Sequence, residues 1–163
     1  MKAYTNVNLV TCDSAFHVYR DGLLVVEDDR IAYCGPYDEN WLGKCCETVD
    51  YEGAWIMPGL VNCHTHSAMT LLRGIRDDSN LHEWLEDYIW PAESRFTADL
   101  TTEAVQLALA EMLLSGTTTF NDMYNPQGVE IARIYQTVRQ SGMRCYFSPT
   151  LFSSEAEKAE ETL

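Results

Sequence analysis

The run Ile56-Met-Pro-Gly-Leu-Val-Asn-Cys-His-Thr-His-Ser-Ala-Met-Thr-Leu-Leu-Arg-Gly74 separates two kinds of sequence pattern. Within it, residues 59–66 read as a short strand punctuated at its start by Pro58-Gly59. Residues i and i+2 of a strand project from one face. The imidazoles of His64 and His66 therefore share a face near the strand's C-terminal end and can converge on one metal ion. They can equally be two polar residues hydrogen-bonded to neighbouring loops, and the spacing alone weighs the two readings evenly.

Upstream, residues 1–57 have short, strand-like patterns. Residues 4–10 alternate, residues 23–27 and 30–35 flank an Asp28-Asp29 turn as a hairpin, and residues 47–51 precede Gly53. Downstream the period lengthens. Leu81, Trp84, Leu85, Tyr88 and Ile89 fall at helical spacing, with Pro91 expected to stop the helix. A second helix is expected over 102–115, with Thr101 as N-cap, Glu103 in its first turn and Gly116 just past its end. A β-branched strand over 117–123 follows, then a helix over 128–141 ending at Gly142 and a strand over 144–148. A last helix is capped by Ser153 or Ser154.

Strands alternating with helices imply a parallel sheet with right-handed crossovers, either an open α/β sheet or a (β/α)₈ barrel. Three such strands leave two bare edges, whereas a barrel takes eight strands over about 250 residues. The sequence is expected to be the front of a larger protein.

Composition narrows the partners. The 163 residues hold 25 Asp and Glu against 11 Lys and Arg, a net charge of −14. That balance removes the attraction behind non-specific nucleic-acid binding and opposes an anionic membrane surface. No apolar run is long enough to span a bilayer. Small molecules remain as the leading partner class. Six cysteines without any C-x-x-C, behind an opening that lacks an apolar signal core, read as reduced thiols in a cytoplasmic protein, most of them small core hydrophobes.

The run 56–74 resembles the first barrel strand of the amidohydrolase superfamily, in which Pro-Gly, two apolar residues, Asp or Asn, and His-x-His follow a small β-domain. Two further runs are similar to the branch containing 5′-methylthioadenosine/S-adenosylhomocysteine deaminases and related chlorohydrolases. They are Leu81-His-Glu-Trp-Leu-Glu-Asp-Tyr-Ile-Trp-Pro-Ala-Glu93 and Glu111-Met-Leu-Leu-Ser-Gly-Thr-Thr-Thr-Phe-Asn-Asp-Met-Tyr124. The resemblance covers essentially the whole chain. It implies an α/β protein in which residues 1–57 are part of a β-sandwich and residues 58–163 are the first three strands and helices of an incomplete (β/α)₈ TIM barrel.

The same resemblance implies site residues. His64 and His66 match two metal ligands, for Zn²⁺ or, as alternatives, Fe²⁺ or another divalent ion. Glu93 matches a carboxylate that accepts hydrogen bonds from ribose hydroxyls, a fitting partner for a diol because both its oxygens are acceptors. The implied reaction is hydrolytic deamination of an adenosine-type purine nucleoside such as methylthioadenosine or S-adenosylhomocysteine. The family's further ligands are two histidines and an aspartate, and its acid/base glutamate lies in an H-x-x-E strand. No histidine follows His82, so no catalytic residue is expected within the chain and the general acid/base is expected beyond Leu163. An isolated chain is expected to be inactive. Alternatives are a triazine chlorohydrolase or aminohydrolase, a guanine deaminase, or a non-catalytic remnant that pairs with another chain or with its own copy.

Other residues carry weaker signals. His82 reads as a surface residue, and His17 lies in the β-rich segment. Met69, Trp84 and Trp90 are candidates for an apolar pocket, although helical spacing favours core packing for the tryptophans. Asp122 ends the second strand, where it can support the site or make a structural hydrogen bond.

Overall fold

The computed structural model describes residues 1–123 and 131–148. It divides into two compact units, Met1–Pro58 and one that begins at Gly59.

In the first unit, branched and aromatic residues form β1 (Lys2–Val10), β2 (Val18–Glu27) and β3 (Arg30–Pro36). β1 and β2 run antiparallel, pairing Ala3 with Val25, and the β2–β3 hairpin closes at Glu27 and Arg30. Asp28 holds the turn at φ 52°, a region that Asp tolerates because its short side chain bonds locally. The four-residue α1 (Glu39–Leu42) is capped by Asp38, whose carboxylate accepts from the Asn40 amide at 2.9 Å. It leads into β4 (Glu47–Asp50), which pairs parallel to β1; β5 (Trp55–Ile56) pairs with β1 further along. α1 and β5 were not legible in the pattern, being only four and two residues long. The strands make one five-stranded sheet. Leu23 and Val25 join Ala3 in one apolar cluster and Leu24 joins Val7 and Leu9 in another, as the alternation of side chains along β2 requires.

The second unit opens with β6 (Leu60–Thr65) and a 3₁₀ turn over Ser67–Leu72. Then come α2 (Leu81–Glu83), a π-helical turn over Trp84–Ile89, α3 (Trp90–Glu93), α4 (Ala98–Leu114), β7 (Thr117–Asp122), α5 (Ile131–Ser141) and β8 (Arg144–Phe147). The three strands are parallel, in the order β6-β7-β8. The core sits on β7: Phe120, fully buried, packs with Ala104, Val105 and Leu109 of α4 and Ile134 and Val138 of α5. Gly59 permits the β6–β7 approach, since a Cβ there would collide with Thr118 Oγ1 and lie 2.7 Å from its Cβ. Gly116, at φ 83°, ends α4 in the left-handed conformation that the sequence predicts.

Two expectations are corrected. The helix does not stop at Pro91 but passes through it into α3. Proline lacks the N–H and its ring crowds the carbonyl four residues back; here the Trp90 amide bonds Leu85 O, five residues back, so the turn is already widened where the proline enters. α4 begins one turn earlier than expected. Thr97, not Thr101, is the cap, its hydroxyl accepting from the Leu100 amide at 3.2 Å. Thr101 lies instead on the buried face with Ala104, Val105 and Ala108. The start of the 128–141 helix and the helix expected from 153 fall outside the described residues.

All six cysteines are free thiols. Cys34, Cys45 and Cys145 are half-buried and pack against the apolar clusters, as small core hydrophobes do, whereas Cys12, Cys46 and Cys63 are exposed, so the core reading holds for three of the six rather than most. Among the described residues no helix is long and apolar enough to cross a membrane.

Candidate functional site

The β6–β7 register decides what meets at the strand ends. Thr65 is opposite Asp122, and the Met123 amide donates to Thr65 O at 3.0 Å. One residue further, the ring of His66 reaches back: its Nδ1 lies 2.9 Å from Met123 O. A carbonyl only accepts, so Nδ1 carries the proton and the neutral ring keeps its lone pair on Nε2. A carbonyl on the far nitrogen is the usual partner of a metal-binding imidazole.

His64 stands exposed two residues back, its amide donating to Asn62 Oδ1 at 3.2 Å, a local turn that shapes the strand end. The two ring centroids are 5.0 Å apart and the rings nearly perpendicular, at 81°. An imidazole bound to zinc through nitrogen at about 2.0–2.1 Å has its centre roughly 3.2 Å from the ion, so two rings at a tetrahedral angle stand about 5.2 Å apart. The observed spacing suits two neutral nitrogen donors on one divalent ion. Among the described residues no third His, Cys, Asp or Glu joins them.

Asp122, the last residue of β7, is 1% exposed. Its carboxylate accepts from the Ser67 hydroxyl in a short hydrogen bond and from the Ser67 amide at 3.2 Å. Burial pushes this carboxyl up, and the Ser67 donors oppose the shift. The Ser148 amide, just past β8, donates to Asp122 O at 2.8 Å, so all three strand ends are tied together. Burial likewise lifts the Cys145 thiol to about 11, aided by the Asp122 charge.

A cleft of about 410 Å³ opens beside His66, lined by Met69, Arg73, Arg76, Asp77 and Trp84 among others. That volume falls within the usual range for small-ligand sites, about 300–1,000 Å³. Met69 and Trp84 thus face a cavity as one expectation had it, and the core reading fails for both tryptophans: Trp84 is half-buried and Trp90 is 46% exposed. Arg73 anchors the rim through a two-pronged pair with Glu111 of α4, at 2.7 and 3.1 Å, which holds the glutamate below its ordinary carboxylate range. Glu93, half-buried, is the last residue of α3. His82 is exposed on α2, and His17 pairs with Asp13 in the first unit.

Sequence reasoning singled out His64, His66 and Asp122 but missed Ser67 and the Met123 carbonyl. Nothing local marks a main-chain oxygen as an imidazole's partner. The signal for Ser67 was only its place after the second histidine.

The paired imidazoles stand beside an open cleft at the end of a parallel β/α layer, the place where α/β enzymes carry their sites. The chain belongs to the amidohydrolase family, whose match covers residues 55–163. It is 45% identical over 159 residues to a 5-methylthioadenosine/S-adenosylhomocysteine deaminase of Bacillus cytotoxicus, covering 98% of this chain and 37% of that protein. A protein of the same name from Bacillus cereus strain G9842 is 46% identical over 152 residues, 92% of this chain and 34% of the relative. The chain therefore spans little more than a third of the length of these curated relatives. Among solved structures it superposes on an adenosine deaminase from Xanthomonas campestris with bound zinc, with a TM-score of 0.78 and 32% identity over 88% of this chain and 32% of the other. The zinc complex of atrazine chlorohydrolase from Arthrobacter aurescens TC1 shares the fold with a TM-score of 0.78 at 22% identity, covering 96% of this chain and 38% of that one.

Proposed function

We propose that this chain forms the front of a metal-dependent hydrolase that deaminates an adenosine-type purine nucleoside such as methylthioadenosine or S-adenosylhomocysteine. The observation that carries the reading is the His64–His66 pair, with centroids 5.0 Å apart and the His66 Nδ1 proton committed to Met123 O. The names of the relatives supply the substrate class, and the zinc in two related structures supplies the metal. In this reading residues 58–163 are the first three strands and helices of a (β/α)₈ barrel, and residues 1–57 contribute to a β-sandwich.

When bound, a divalent ion, zinc in this reading, supplies Lewis acidity and acidifies water toward neutral pH. His64 and His66 would hold it through ring nitrogens, and the Met123 carbonyl keeps His66 in the required tautomer. Glu93 accepts from the ribose hydroxyls. Met69 and Trp84 cover the apolar part of the ligand and displace water from it. The net reaction adds water at C6 of the adenine amidine and releases ammonia. In this reading further ligands and an acid/base group complete the site, because two imidazoles fall short of the three protein ligands usual in catalytic zinc sites.

The test is ammonia release from adenosine, methylthioadenosine, S-adenosylhomocysteine and guanine, with chloride release from a chlorotriazine. It is run with the 163-residue chain and with a polypeptide of the relatives' length that starts with it. Activity on the adenosine-type substrates by the longer polypeptide alone is expected. Turnover of guanine or the triazine in their place would replace the substrate assignment, and turnover of none would reject the enzyme reading.

A further inference from the structure

Where the chain leaves β6 and enters the 3₁₀ turn, His66 takes φ −125° and ψ 80°, outside the strand and helix wells, and makes no side-chain cap of its own to that turn. The first amide past it, that of Ser67, is satisfied from another strand: Asp122 accepts it at 3.2 Å and accepts the Ser67 hydroxyl as well. Ser67 and Asp122 are each 1% exposed, so the link is made away from solvent. A buried carboxylate is costly to desolvate, and an apolar residue would fill the same space without that cost. What the carboxylate does that an apolar side chain cannot is hold residue 67 by two bonds. That grip sets the peptide joining residues 66 and 67, and with it the direction in which the His66 ring leaves the backbone. The ring then meets Met123 O, the residue next to Asp122 on the same strand end. Consecutive groups of β7 grip consecutive residues at the end of β6.

We propose that Asp122 is a positioning residue for His66, acting through Ser67 to keep the imidazole on the Met123 carbonyl, in the tautomer protonated at Nδ1. It touches neither substrate nor ion in this role.

The test uses the 163-residue chain labelled with ¹⁵N at histidine. In the metal-free parent the His66 shifts should report one tautomer, protonated at Nδ1. In Asp122→Ala they should report a mixture of tautomers. Zinc titrated onto the same resonances should bind about 10- to 100-fold more weakly, the usual effect of removing an outer partner of a metal ligand. Asp122→Asn, whose carboxamide oxygen still accepts the Ser67 amide, should keep the tautomer and stay within about threefold of the parent in zinc affinity. Parental tautomer and parental zinc affinity in Asp122→Ala, even with a lowered melting temperature, would reduce Asp122 to a purely structural role and overturn the proposal. If Asp122→Ala does not fold, Asp122→Ser is judged by the same two readouts, since its side chain is too short to reach Ser67. The zinc arm rests on the metal-site reading above, and the tautomer arm does not. Unchanged zinc affinity in His66→Ala would sink that reading and leave the tautomer result to decide on Asp122.

Discussion

His66 and Met123 lie 57 residues apart in the chain, and the imidazole Nδ1–H of one donates to the carbonyl oxygen of the other across 2.9 Å. The bond uses a main-chain acceptor that no side-chain substitution removes, and it places the proton of the neutral His66 ring on Nδ1 and the lone pair on Nε2. The ring of His64 stands close enough to share that ligand.

His64→Ala should weaken zinc binding to the chain by about tenfold or more, because it removes one of two nitrogen donors. The side chain is exposed, so the stability change should stay within about 0.5 kcal/mol. A chelator-competition titration paired with urea unfolding separates the two effects. Unchanged zinc affinity would remove His64 from the site.

Among the described residues Phe120 is the largest fully buried side chain, and it packs against both α4 and α5. Phe120→Ala should lower unfolding stability by about 3–5 kcal/mol, through lost transfer energy and a cavity. Denaturant unfolding with an unchanged slope measures this, and a loss under 1 kcal/mol would mean that the core does not centre on β7.

Gly59→Ala drives a methyl group into Thr118, whose Cβ cannot swing away. The β6–β7 pair must shift, at a cost of about 1–3 kcal/mol. Thr118→Ala in the same chain should recover part of that loss. Additive effects of the two substitutions would show that the contact is not the source of the strain.

Asp13 of the β1–β2 loop accepts from the His17 ring at 2.7 Å and from the His17 amide, and these bonds lower its carboxyl from the ordinary 3.8 to about 2. A carboxyl depressed in the folded state stabilises it above the unfolded value. That contribution is present above pH 3.8 and is lost as the pH falls toward 2. A ¹³C titration should place the Asp13 midpoint near 2 in the parent chain and much closer to 3.8 in His17→Ala. Equal midpoints would show that the pairing does not persist in solution.

The strand and helix alternation, the Asp28-Asp29 hairpin, the α4 stop at Gly116 and the histidine pair were readable because each depends on residues within a few positions of one another. Period, caps and i, i+2 spacing are local rules, and they hold wherever the tertiary structure does not compete. Where it competes they fail. Thr101 has a cap's chemistry, but it falls on the face of α4 that packs with Ala104 and Val105, so the helix takes Thr97 instead. Pro91 has a helix stop's chemistry, and the π-helical turn before it lets the helix continue.

From residue order alone, this chain is committed to a parallel β/α layer after a β-rich start, with two imidazoles spaced i, i+2 at the end of a strand. The choice of tautomer, the burial of Asp122 against Ser67 and the opening of a cleft beside His66 belong to the folded molecule. The first two join residues more than fifty positions apart, brought within bonding distance by the pairing of Thr65 with Asp122 across β6 and β7, and the cleft forms among residues 66–84.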